Sequence, residues 1–469
     1  MIAGALLLLV LPLAMAGIVY ILVNAKTLSG LLSIITALVT GLAVIALPLE
    51  EPIRFWGGRQ IAMGEAVSIL GRELVLEPSD RLAMAFIFFA AAVIFALAWR
   101  VKIDSLLYPI GLGLLSLLSA SLLIRPLIYG ALLLETAAVL AVFALQPGDQ
   151  PPTRGALRYV TFTTLALPGL MVTHWLLERY ALTPNETGLL SAAGILLSIS
   201  FAMLLGVVPF HTWVTAVSDD GMPLSSAFVL TVNNSVVWFL FFSFLETYPS
   251  VASYLQLTPV IGTVGVAMAV LGGLLAAKQQ HLGRLMGYSA LADTGCALAA
   301  LGMQNGHGVV LVMLSLLVRP VGLALMATGV GGIRADAGDD QLDGLRSVGW
   351  STPFATLALL IGGMSAAGAP LTAGFVWRWA LYRDIATRNP TTVVLLLLSS
   401  AGVVAGLIRA LATLLHREST DQTRVGREGR LFSVFVIGGL LACVVIGVFP
   451  QLIAPFASRL AESYRILMP

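Results

Sequence analysis

A chain of 469 residues that is 58% hydrophobic, only 11% charged and has a mean hydropathy of +0.95 is not a soluble domain, where about a quarter of residues carry charge. A net charge of +2 gives no field strong enough to hold nucleic acid. The two cysteines, Cys296 and Cys443, sit far apart in apolar runs, which fits buried inert thiols; with no metal spacing, Gly-rich nucleotide loop, CxxC pair or haem motif, no cofactor is expected.

At about 20 apolar residues per crossing, the runs predict an all-α polytopic membrane protein of about fourteen transmembrane helices. The first two fall near 4–23 and 28–48. The first has no basic start and no small-residue cleavage site, so it is expected to be retained. Residues 50–80 are mixed and include Arg54, Trp56, Arg59 and the strand-like SILGRELVLE, which predicts an extramembrane hairpin. Helices three to six follow near 82–99, 105–123, 126–145 and 158–178. The next eight fall near 188–209, 223–245, 255–277, 284–303, 308–333, 352–382, 391–415 and 431–457. No long amphipathic segment is expected after them.

Loop charge predicts the orientation. Arg100, Lys102, Arg154, Arg158, Lys278, Arg284, Arg334, Arg346, Arg417, Arg424, Arg427 and Arg430 fall on one side, and Arg125, Arg179, Arg383 and Arg388 on the other. The richer side is expected to be cytoplasmic, which puts the N-terminus outside a multi-pass inner-membrane protein.

The stretch LLGVVPFHTWVTAVSDDGMPLSSAF is unlike the rest. Pro209 interrupts an apolar run, His211 follows at once, and Asp219 and Asp220 lie in the next polar turn. A proline in a membrane helix frees a carbonyl, which only protein or a wet cavity can satisfy. The residues alone fit either a broken helix on an ion path or a plain proline kink with a loop histidine. A second interruption, GAPLTAGF around Pro370, comes five helices later.

Two acids stand inside predicted helices. Glu135 lies in YGALLLETAAVLAVFAL and Asp293 in MGYSALADTGCA. A carboxylate at membrane depth needs a partner or water, so Glu135 is expected to be buried beside one. Asp80, Asp104 and Arg125 lie near helix ends, where side chains reach water easily. His174 and His307, also near loops, are expected to be solvated, and Lys278 and His281 to be plain loop charges.

PFHTW, the polar turn and MPLSSAF resemble the central motif of the antiporter-like membrane subunits found in respiratory complex I, related membrane hydrogenases and Mrp-type Na+/H+ antiporters. The resemblance covers roughly residues 80 to 450. It implies two inverted five-helix repeats, each with one broken helix. The chain then divides into residues 1–103, repeat one at 104–250, repeat two at 251–416 and a C-terminal part at 417–469.

The resemblance also implies a row of titratable groups, and there this sequence departs. Glu135 matches the family's glutamate, but its lysine partner falls near Leu204, in a run with no lysine. A second lysine falls near Asn234, beside Asn233. The histidine and lysine of the eleventh helix fall near Ser315 and Arg319, and the charged residue after Gly-Phe falls on Arg378. Arginine stays protonated in proteins and relays protons poorly.

The expected function is a proton- or cation-translocating membrane subunit of a complex I-like NADH:quinone oxidoreductase or related assembly. It carries no redox site of its own and is partnered by other membrane subunits and the bilayer. Any flux, of protons or Na+, is expected through Glu135, His211, Asp293 and waters held by Asn233 and Asn234. The alternatives are a non-pumping structural paralogue and a subunit of an Mrp-type antiporter or other ion-coupled uptake complex.

Overall fold

The computed structural model describes residues 2–49, 52–54, 60–69, 71–99, 101, 106–146, 153–254, 257–303, 306–416 and 428–464. Trp56, Arg59, Arg100, Lys102, Asp104, Arg417, Arg424 and Arg427 lie outside the described residues.

The chain is helical nearly throughout. The N-terminal part comprises α1 (Gly4–Ile21), α2 (Lys26–Ala46), α3 (Asp80–Ala98), α4 (Leu107–Leu123), α5 (Ile128–Leu145) and α6 (Arg154–Leu182). Then come α7 (Thr187–Leu205), α8 (Thr212–Asp220), α9 (Pro223–Phe228), a π-helical turn at Val229–Asn233, and α10 (Asn234–Thr247). They are followed by α11 (Pro249–Tyr254), α12 (Leu257–Ala276), α13 (Leu282–Leu301), α14 (Gly306–Ala337), α15 (Val348–Ser351) and α16 (Pro353–Ala367). The last four are α17 (Phe375–Ala386), α18 (Pro390–Leu415), α19 (Arg430–Val448) and α20 (Ala454–Glu462). Among the described residues, eleven helical segments are long and apolar enough to cross a bilayer, and α4 and α16 are shorter apolar helices.

Burial sorts these helices. The run Pro223–Thr247 and α14 are apolar on every side and almost wholly buried, as central helices must be. Outer helices turn apolar side chains outward, such as Leu165 on α6, Val394 on α18 and Val434 on α19, where acyl chains would meet them. Small residues bring inner helices close: a Cβ on Gly295 of α13 would sit 2.4 Å from the Ala269 nitrogen of α12.

Two helices stop in mid-course. α7 ends on Gly206 in the left-handed conformation, and residues 206–211, with Pro209, separate it from α8. α16 ends likewise on left-handed Gly368, and residues 368–374, with Pro370, separate it from α17. Trp213 pins the first break by donating from Nε1 to the Met203 carbonyl at 3.0 Å. That carbonyl belongs to the last turn of α7, where it also accepts from the Gly206 amide at 3.3 Å.

The 50–80 loop forms the expected hairpin. Strands β1 (Ile2–Ala3), β2 (Ile53–Arg54) and β3 (Gln60–Ala62) make a small sheet in the order β1-β3-β2. Strands β4 (Val67–Ile69) and β5 (Arg72–Leu74) pair antiparallel across left-handed Gly71, and β6 (Ile124–Arg125) joins β5. Asp80 and Arg125 correct an expectation. They do not reach for water: Arg125 Nη2 donates to Asp80 Oδ2 at 2.7 Å and to Glu77 Oε2 at 3.1 Å, and Asp80 is buried. The last predicted helix also ends early. α19 stops before Pro450, and α20 packs back toward α14 and α3 with Tyr464 stacked near Phe239 and Phe242.

Glu428 precedes α19 and reaches across to the start of α16. Its two carboxylate oxygens accept from the Phe354 and Ala355 amides, each at 2.8 Å. Those amides are among the unpaired donors of a helix start, where negative charge is favoured. Burial nonetheless pushes the Glu428 carboxyl above the ordinary carboxylate value, against these two hydrogen bonds. Replacing Glu428 by alanine is expected to cost about 1–2 kcal/mol, the range for a lost helix cap. A lower thermal midpoint of the purified protein in detergent would register it, and an unchanged midpoint would show the cap to be idle.

Candidate ion-conducting axis

The most expensive groups in the chain are charges held at membrane depth, so their neighbours define the site. Asp293 lies on α13, Arg319 on α14 and Arg378 on α17. Arg319 Nε donates to Asp293 Oδ2 at 2.8 Å, and Arg378 Nη2 donates to Asp293 Oδ1 at 3.2 Å. Both arginine side chains are 1% exposed and the aspartate 7%, so one carboxylate is shared by two guanidiniums out of reach of bulk solvent.

The remaining guanidinium donors are nearly all used. Arg319 Nη1 donates to Asn234 Oδ1 at 2.9 Å, and its Nη2 to Thr294 Oγ1 at 2.7 Å. Arg378 donates to the Ala366 carbonyl at 2.8 Å, Cys296 Sγ at 2.9 Å and Ser400 Oγ at 3.3 Å. Tyr382, one turn along α17, shares a 2.8 Å hydrogen bond with Ser400. Of the nitrogens of these two guanidiniums, only Arg378 Nε is buried without a partner among the described residues. The local sequence arranges this. Pro320 interrupts the hydrogen-bond ladder of α14 next to Arg319. The α16–α17 break presents the Ala366 carbonyl to Arg378. A cavity of about 10 Å³ beside Asp293, Arg319 and Ser365 has room for one water.

The other half of the axis is neutral except for Glu135. Asn233 and Asn234 sit where π geometry passes to α geometry, a kind of turn often found at functional sites. Asn234 faces Arg319, while Asn233 Nδ2 donates to the Tyr159 hydroxyl on α6 at 3.2 Å. Glu135 on α5 is half-buried, not buried as expected. Thr164 on α6 donates to its Oε1 at 2.5 Å, and its Oε2 is buried without a hydrogen bond. Among the described residues no basic side chain pairs with Glu135. Leu204 is a buried apolar residue, and the chain's only lysines are Lys26, Lys102 and Lys278.

The other expected site residues lie elsewhere. His211 stands at the start of α8, half-buried, with Nδ1 unpartnered, and among the described residues no hydrogen bond joins it to the axis. Asp219 belongs to a separate cluster: Arg284 Nε donates to its carboxylate at 2.8 Å, and Arg334 donates to its backbone carbonyl at 3.0 Å and to Asp340 at 2.6 Å. Asp220 beside it is half-buried. His281 is not a plain loop charge, because its Nδ1 lies 3.5 Å from Asp340 Oδ1. His174 is likewise held, by Tyr248 at 2.7 Å and Glu178 at 3.2 Å.

Sequence reasoning missed Tyr159, Thr164, Thr294, Cys296, Tyr382 and Ser400. Two could have been found: Thr294 adjoins Asp293, and Tyr382 follows Arg378 by four residues on one helix face. The others are polar atoms scattered over apolar helices, and only the packing brings them together.

Broken helices around a buried charged and polar axis define an architectural class of polytopic membrane proteins. Residues 156–404 match the family described as NADH:quinone oxidoreductase/Mrp antiporter, TM, and the chain belongs to that family. It is 26% identical over 319 residues to subunit N of the NADH-quinone oxidoreductase of Mycobacterium tuberculosis, covering 66% of this chain and 58% of that one. It is 29% identical over 280 residues to the same subunit of Ectopseudomonas mendocina, covering 56% and 55%. The chain thus spans less than two thirds of the length of these relatives.

The fold is similar to a chain of the membrane-bound sulfane sulfur reductase, an archaeal respiratory membrane complex, with a TM-score of 0.79, 18% identity and coverage of 99% and 98%. It is equally similar to a chain of respiratory complex I from Thermus thermophilus, with a TM-score of 0.78, 18% identity and coverage of 99% and 100%. A chain of the Mrp complex from Dietzia gives a TM-score of 0.77 at 16% identity, covering 98% of this chain and 52% of that one.

Asp293→Asn leaves two buried guanidiniums without their anion and is expected to destabilise the protein by about 3–5 kcal/mol. Glu135→Gln keeps the Thr164 hydrogen bond and strands no opposite charge, so its expected cost is below about 1 kcal/mol. Thermal midpoints of the two purified variants in detergent test the contrast. Equal losses would contradict it.

Proposed function

We propose that this chain is the ion-translocating membrane subunit of a multisubunit respiratory assembly of the NADH-quinone oxidoreductase kind, with any redox chemistry carried by its partners. The observation that carries the reading is the hydrogen-bonded run from Tyr159 and Asn233, through adjacent Asn234, to Arg319, Asp293, Arg378, Tyr382 and Ser400. A lipid-facing protein with no ion to move has little reason to keep such a run at membrane depth.

Beside this run we assign proton exchange to Glu135, whose Oε2 makes no hydrogen bond among the described residues, with Tyr159, Asn233 and Asn234 carrying the path inward. Asp293 accepts one arginine bond on each oxygen, so with Arg319 and Arg378 we assign it the role of a fixed charge cluster. Counting α7 with α8, and α16 with α17, as one crossing each supports fourteen crossings and two inverted repeats about the breaks. Loop charge supports an N-terminus outside a cytoplasmic membrane.

A non-pumping structural role is the second reading, favoured by the apolar Leu204 where the resembling subunits have lysine. Proton uptake by vesicles containing the purified assembly separates the two. The proposal expects Glu135→Gln to abolish the uptake carried by this subunit while the assembly stays intact. Uptake unchanged in Glu135→Gln would overturn the assignment, and uptake absent from the wild type would favour the structural reading.

A further inference from the structure

α12 and α18 press backbone to backbone over the second half of α12: a Cβ on Gly273 would sit 2.2 Å from the Ser399 carbonyl oxygen, one on Gly402 2.3 Å from the Gly273 carbonyl oxygen, and one on Gly406 2.5 Å from the Ala276 carbonyl oxygen. Ser399 Oγ closes the contact by donating to the Ala269 carbonyl. From there toward Pro259 and Asn389 the helices diverge. The wedge between them is a groove of about 910 Å³, within the range of ligand sites of about 300–1,000 Å³. Gly262, Ala267 and Gly302 keep it deep because they are small.

The groove's chemistry is divided along its length. Val266, Val270, Leu271 and Leu274 make its walls apolar, whereas Arg388, Asn389 and Thr392 stand together at the wide end. Arg388 is exposed, and among the described residues its guanidinium makes no hydrogen bond or ion pair. It sits between the end of α17 and the start of α18. The fourteen residue steps from Pro259 to Gly273 rise about 21 Å along α12. Half of a hydrocarbon core of about 30 Å is less than that.

We propose that this groove binds one phospholipid of the surrounding bilayer, with an acyl chain lying between α12 and α18 and an anionic headgroup phosphate against Arg388. The wedge narrows to backbone contact, so a neighbouring helix about 10 Å across could not fill it. An acyl chain can, and the phosphate complements the one unpaired guanidinium at its mouth. The site holds whether or not the subunit moves ions, so its failure and the failure of the transport reading are separable.

Native mass spectrometry of the full chain in mild detergent, titrated with phosphatidylglycerol or with phosphatidylcholine, tests it. One phosphatidylglycerol is expected to be retained, at about tenfold higher affinity than phosphatidylcholine, whose choline cation beside the phosphate is repelled by Arg388. Arg388→Glu should remove that preference. Val266→Trp, or the smaller Thr263→Phe if the first variant misfolds, should abolish retention of both lipids by filling the groove. Arg383→Glu, which alters an exposed arginine paired with Asp384, should leave retention unchanged. Retention that is the same in the Arg388 and groove-filling variants would overturn the site. So would cross-linking of Leu395→Cys to a neighbouring subunit, in the intact assembly, through the groove itself.

Discussion

Two guanidiniums and one carboxylate, shielded from solvent in the second half of the molecule, carry a net positive charge that the surrounding helices must accommodate. Moving each ion out of water costs several kcal/mol even after relaxation, and mutual attraction repays this only where every remaining donor finds an acceptor. Four elements supply the acceptors: Asn234 follows the π turn, Thr294 and Cys296 lie on α13, the Ala366 carbonyl lies at the end of α16, and Ser400 lies on α18. Each can do so only if its helix is held at the right height, so the charge network and the packing depend on each other.

The broken helices follow from the same constraint. A continuous helix spends its carbonyls on itself, and the interruption after Ala367 frees the Ala366 carbonyl for Arg378. The interruption after Leu205 has no comparable charge to serve. There Trp213 caps the end of α7 and His211 keeps an unpartnered nitrogen. The two parts of the axis differ in chemistry: one holds a partly satisfied acid and neutral polar groups, and the other a clamped ion network.

Much of this is legible in the sequence. Apolar run lengths and proline positions point to the membrane fold, and the cost of a buried carboxylate singles out Asp293 and Glu135 from their apolar surroundings. Arg319 and Arg378, inside apolar helices, are readable as fixed charge. The convergence of those two arginines on Asp293 is not, because residues 293, 319 and 378 are joined by helix packing and not by spacing. His211 shows the converse. Its motif is prominent in sequence, yet its side chain joins no network, because the turn at the start of α8 leaves its Nδ1 without a partner. The buried pairing of Asp80 with Arg125 is hidden for a similar reason, since a β hairpin folded over the helix ends takes the place of water.

The central claim is that Asp293 and its arginines act as one charge unit. A double-mutant cycle on the stability of the purified chain, using Asp293→Asn, Arg319→Gln and their combination, measures that directly. The account predicts strong coupling, of about 1.5 kcal/mol or more, because the second substitution removes a charge that the first has stranded. Strictly additive losses would mean that the two residues are independent, and would contradict it.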